Sequence, residues 1–279
     1  MLCLHAVSER WPADLSTTPE RLEAQLRLLV DRGYRGATFF EAVSAPPAPK
    51  TLAVTFDDAY LSVLALGLPI LSALGLPGTV FVPTDFPARG APMAWPGIDH
   101  WLGGPHEAEL TPLDWAQLEA LADAGWEVGS HTRSHPRLPT LDDSSLASEL
   151  QESRRECEAR LNRPCRSLAY PYGAVDARVA AAAGAAGYAA AGTLPRGRLH
   201  RPEPLLWPRV GVYHGDDERR FRLKVSTTVR RLRASAAWSV AERLRRSPRA
   251  PTGPTPGPPS DLAVAGAVER PQPDLQYAR

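Results

Sequence analysis

The sequence predicts an α/β fold, a distorted (β/α) barrel of seven or eight parallel strands in a single domain, from three observations. Strand and helix signals alternate through roughly seven or eight units, the pattern of parallel strands joined by crossover helices. That many units within about 215 residues suits a closed barrel better than an open sheet. Two apolar strand-like runs end in polar clusters, Asp57-Asp58 and His131 to His135, and parallel α/β folds keep their active sites at that end.

Leu2 to Val7 reads as the first strand and carries His5. Thr18-Pro19-Glu20 starts a helix, a capping hydroxyl before a proline at the first helical position. Leu22, Leu26 and Leu29 recur at helical spacing until Gly33. Gly36 to Phe40 reads as a second strand and Ala45 to Pro49 as a proline-rich connection. The central strand is Thr51 to Phe56, apolar and β-branched, and the helix after Asp58 is interrupted near Gly67 to Pro69. Gly78 to Val82 is the next strand. Residues 83–110 form a long loop rich in Pro, Gly and Trp, a length that in compact domains accompanies function. Thr111-Pro112-Leu113-Asp114 opens a helix in capping-box style, and Gly125 closes it. The remaining strands are Trp126 to Ser130, Ser167 to Tyr170, Tyr188 to Gly192 and Arg209 to Val212. Between them lie a charged amphipathic helix over 143–161 and an alanine-rich helix ending at Gly187.

The barrel is thus expected over residues 1–218, a basic helical extension over 219–247 and a proline-rich disordered tail over 248–279. Formal charge is +1, which gives no general reason for a nucleic-acid partner. The charge is uneven: residues 1–218 hold 19 Lys and Arg against 27 Asp and Glu, whereas 219–249 hold 11 against 1. The 219–247 segment reads as a helix packed on the barrel with solvated arginines, in preference to a membrane-surface anchor. Cys3, Cys157 and Cys165 are odd in number and lack C-x-x-C spacing, which argues against a disulfide framework or a cysteine metal site. No stretch approaches the roughly 20 apolar residues of a membrane span, and no secretion leader is visible, so a cytoplasmic location is expected.

Inside a strand, an Asp-Asp pair would bury one charge; at a strand's carboxyl end it can splay, one Asp toward a metal and one toward substrate. Asp58 capping the next helix is the plainer reading. His131 and His135, four apart after a strand, can share one face of a helical turn and bind one metal. A carboxylate from Asp57 or Asp58 completes a two-histidine, one-carboxylate site with open positions for water and substrate. Pro171 and Gly173 bracket Tyr172 in a tight turn that can aim an N–H at an oxyanion. Trp95 and Trp101, on the long loop, either stack on a sugar ring or cover the loop's own core.

In this order and combination the stretches resemble the polysaccharide deacetylase family, the NodB-homology or carbohydrate esterase 4 group, over about residues 1–215. Thr55-Phe56-Asp57-Asp58 is similar to its first motif, His131-Thr132-Arg133-Ser134-His135 to its second and Pro171-Tyr172-Gly173 to its third. The resemblance implies a distorted (β/α) barrel that holds a divalent metal, most often zinc, and removes acetyl groups, usually N-acetyl from amino sugars. It implies Asp58, His131 and His135 as metal ligands and Asp57 as the general base acting on water. It gives the oxyanion to the metal and the Tyr172 N–H together.

Two departures stand out. The family's third motif usually begins with an arginine, where this chain has Leu168 or Ala169; Arg209 is the candidate replacement. The family's late Leu-x-His motif is not found after Tyr188. Leu4-His5-Ala6-Val7 resembles an N-terminal strand that takes its place in some branches, so His5 is the candidate general acid, with a core histidine as the other reading. His200 and His214 lie outside any strand-end pattern.

The expected function is metal-dependent hydrolysis of an N-acetyl group on an amino-sugar-containing carbohydrate. The alternatives are hydrolysis of a non-sugar amide or cyclic imide at the same metal, and a catalytically silent carbohydrate-binding protein. Loss of Asp57 would have marked the silent binder, and Asp57 is present.

Overall fold

Eight short strand segments pair in parallel to form one sheet. Their spatial order is Trp207–Pro208, Ala190–Thr193, Ser167–Ala169, Glu127–Ser130, Gly78–Val82, Val54–Phe56, Leu2–Leu4 and Val210–Gly211. The two edge segments are one stretch of chain interrupted only at Arg209. The two ends of the sheet therefore meet in this stretch, and the sheet nearly closes into the predicted barrel. The computed structural model describes residues 1–45, 48, 50–194 and 202–229.

Helices on the outside explain why the strands read as apolar runs. Pro19–Asp31 starts where Thr18 accepts a hydrogen bond from the Arg21 N–H, and it buries Leu22, Leu26 and Leu29. Asp142 and Asp176 cap Asp143–Leu161 and Ala177–Ala185 in the same way. Strand alternation sends Leu2, Leu4, Val54 and Phe56 into this outer core and leaves Cys3, His5, Thr55 and Asp57 for the lumen.

Several elements differ from the sequence reading, each for a local reason. Gly36 to Phe40 is not a strand: only Arg35–Gly36 pairs, and Phe39–Ser44 is a helix. Thr38 and Glu41 form a reciprocal capping box that outweighs the β-propensity of the two phenylalanines. The helix expected at Thr111 starts three residues later, capped by Asp114 and Gln117. The interruption near Pro69 is a wide turn of helix over Val63–Gly67 leading into Leu68–Ala73, since proline brings no N–H to an α-helical ladder.

The start of the basic extension, Glu218–Val225, is a helix that buries Phe221. It is tied to the barrel seam by Lys224 Nζ, which donates to the Gly211 carbonyl at 3.1 Å and pairs with Asp216. From residue 230 on, that extension and the proline-rich tail lie outside the described residues, as does His200. Among the described residues no helix is long and apolar enough to cross a membrane.

Candidate active site

The central strand ends in a kink. Asp58 (φ 71°) and Ala59 (φ 56°) are both left-handed. Two such residues in a row turn the chain off the strand, so adjacent carboxylates can both serve the barrel mouth without facing opposite sides. Thr132 (φ 67°), His135 (φ 63°) and Tyr172 (φ 59°) share this conformation, so every loop bearing a predicted site residue of the three motifs is strained.

Asp58, His131 and His135 converge. One carboxylate oxygen, Asp58 Oδ1, lies 3.3 Å from Nε2 of each histidine, and all three residues are buried. The expected helical turn does not bring the histidines together. Residues 131–135 are non-helical, and the left-handed Thr132 and His135 do it instead, with Thr132 Oγ1 accepting from the His135 N–H. Oδ1 has no hydrogen-bond partner despite two nitrogens at that range. A buried carboxylate oxygen facing two imidazole nitrogens without hydrogen-bond geometry fits a shared cation.

The His131 tautomer agrees. Its Nδ1 lies 2.8 Å from the Ala169 carbonyl, which can only accept, so Nδ1 carries the proton and Nε2 offers its lone pair.

Asp57 is clamped separately. Arg209 donates from its two terminal nitrogens to Asp57 Oδ1 and Oδ2 at 2.6 and 2.8 Å, and a further bond from the same guanidinium reaches Thr55 Oγ1 at 2.8 Å. The pair is buried on both sides. Burial would raise the Asp57 pKa, yet the Arg209 charge brings it down to about 2. Cys3 Sγ donates to Asp57 Oδ2 at 3.3 Å. His5 is buried with Nδ1 lacking a hydrogen-bond partner, and burial lowers its pKa, so it rests neutral.

Trp95 occupies an inner position. It is 6 % exposed and stacks on the His135 ring at 4.1 Å, while Tyr172 meets the same imidazole edge-on at 4.7 Å. One face of the indole lies against a histidine. His135 Nδ1 has no hydrogen-bond partner, so ring packing orients it in place of the usual polar support. Trp95→Leu is expected to weaken divalent-metal binding roughly tenfold, measured by competition with a chromophoric chelator. Trp101 stays partly exposed, its ring between those of His100 and His106.

The sequence assigns no role to Thr55, which it offers only as part of the first motif, or to Gly192, which it offers only as a strand end. Thr55 lies two residues before Asp57 on the same strand face, a signal that alternation offers. A Cβ at Gly192 would sit 2.6 Å from Arg209 Nε, so this glycine leaves room for the guanidinium. Gly192→Ala is expected to cost about 1–3 kcal/mol in denaturant unfolding, as overpacking does, and to lower activity with metal binding intact.

Comparisons with known proteins identify a family and a fold. The family model described as polysaccharide deacetylase matches residues 44–191. YxkH of Bacillus subtilis, whose own assignment as a polysaccharide deacetylase is provisional, is 25% identical over 210 residues, 74% of this chain and 67% of that protein. A chitin deacetylase of Pestalotiopsis sp is 26% identical over 147 residues, 52% of this chain and 42% of that protein. Thus the chain spans well under half of the second relative.

Solved structures share the fold, two deacetylases among them. The deacetylase PplD of Streptococcus pyogenes, in complex with acetate, superposes with a TM-score of 0.68 at 22% identity, covering 81% of this chain and 96% of that one. A polysaccharide deacetylase of Bacillus cereus gives 0.65 at 24%, covering 81% and 68%.

Proposed function

The chain belongs to the polysaccharide deacetylase family, and from that premise we propose that it hydrolyses N-acetyl groups of an amino-sugar-containing carbohydrate at a divalent-metal site. The observation that carries the reading is the convergence of Asp58 Oδ1 and two histidine Nε2 atoms beside an arginine-clamped Asp57. Two imidazoles and one carboxylate suit zinc.

Asp58, His131 and His135 would hold the ion. When bound, it supplies Lewis acidity for the attacking water and for the developing oxyanion. Asp57, ionised through Arg209, accepts the proton of the attacking water. Arg209 fixes which carboxylate lone pairs remain for that work. His5 begins neutral, takes the proton on from Asp57 and delivers it to the leaving nitrogen; acetate and a free amine are the products. The Pro171–Gly173 turn directs the Tyr172 N–H toward the oxyanion.

The test joins metal analysis to acetate release from chitooligosaccharides and simpler N-acetyl sugars. The wild type is expected to hold about one ion and release acetate, and His131→Ala to lose both. A protein that binds no divalent ion, or binds one and releases no acetate from any N-acetyl sugar, would overturn the reading.

A further inference from the structure

Cys3 stands inside the barrel, and its spacing from the other cysteines conceals that. On the first strand Cys3 and His5 face the lumen together; on the central strand Thr55 and Asp57 do. Parallel register sets Cys3 opposite Thr55. Sulfur, imidazole nitrogen and carboxylate oxygen thereby come within 4.8 Å of one another. All three residues are buried, and His5, 7 % exposed, has Nδ1 without a hydrogen-bond partner. None of them belongs to the Asp58, His131 and His135 set.

We propose that Cys3, His5 and Asp57 form a second cation site, selective for a soft thiophilic divalent ion such as Cd²⁺ or excess Zn²⁺, and that its occupation stops turnover. On a tetrahedral zinc the ligand atoms lie roughly 3.3–3.8 Å apart, so this cluster closes around an ion with a modest contraction. Thiolate, imidazole and carboxylate make a softer set than two imidazoles and a carboxylate, so soft ions favour it.

Two features make it the weaker site. Binding converts Cys–SH and M²⁺ into Cys–S–M⁺ and a released proton. The ion must also share Asp57 with Arg209, which already bonds both carboxylate oxygens. An ion on Asp57 and His5 takes the lone pairs that proton transfer needs. The inhibition rests on the deacetylase reading above; the binding does not.

Full-length protein loaded with one equivalent of Zn²⁺ is titrated with Cd²⁺, following thiolate-to-cadmium ultraviolet absorption, proton release and acetate release. The absorption is expected to grow with one further equivalent as one proton leaves and activity falls more than tenfold. Cys157→Ala/Cys165→Ala, which keeps Cys3 as its one cysteine among the three, retains the band. Cys3→Ser loses the band. Absence of a band in wild type at excess Cd²⁺, or its loss in the double variant, overturns the site. A band with undiminished acetate release overturns the inhibition. The double variant carries the test if Cys3→Ser fails to fold, and the band is read without substrate, so an inactive enzyme leaves the binding result standing.

Discussion

Asp57→Asn is expected to keep about one equivalent of divalent metal while kcat falls roughly 10²- to 10⁴-fold, the range for losing a general base. Asparagine keeps the shape and one acceptor oxygen, so the Asp58, His131 and His135 cluster is untouched. What it removes is a proton acceptor and the counter-charge of a fully buried guanidinium. A fall in stability therefore accompanies the fall in rate, and the two must be read separately. Metal analysis, thermal unfolding and acetate release on one preparation do this. A folded, metal-bearing variant with near-wild-type turnover would remove Asp57 from the role of base.

Arg209→Met is expected to lose about 3–5 kcal/mol of stability, because it leaves Asp57 as a buried charge without a partner. The pH dependence follows from the sign of the shift. With its pKa lowered to about 2, Asp57 contributes stability that is fully present above the ordinary carboxylate pKa and is lost as pH falls from there through about 2. Arg209 keeps its charge throughout, since Asp57 more than offsets the effect of burial on it. In Arg209→Met the Asp57 pKa rises, so the acid limb of kcat/KM moves to higher pH. Denaturant unfolding at neutral and acid pH, with a pH–rate profile, measures both effects. An unmoved acid limb would show that Arg209 does not set the ionisation of Asp57.

The barrel was legible because its signals are local. The cap at Thr18, apolar runs such as Gly78 to Val82 and glycine stops at Gly33 and Gly125 depend on near neighbours. The misreading of Phe39 and Phe40 as strand came from weighing aromatic propensity above a capping box three residues wide. Asp58, His131 and His135 were found as a set, yet helical spacing gave the wrong reason for it; left-handed backbone at non-glycine residues leaves no mark in composition. Trp95 was judged by residue type, whereas its place against His135 depends on how a long loop folds back. The cavity beside Gly192 for the Arg209 side chain arises only when the two edges of the sheet meet.

Arg209 both closes the barrel and holds Asp57, across 152 residues of chain. A ribosome adding about 5–20 residues per second makes the aspartate roughly 8–30 s before its partner. Until then the carboxylate has no buried counter-charge, and a pocket that dehydrated it would pay the penalty of an unpaired ion. Sealing of the N-terminal strands around Asp57 is thus disfavoured until Arg209 is made. Topology here acts as a completion check: a barrel lacking its last strand can bring Asp58, His131 and His135 together, but Asp57 has no guanidinium beside it.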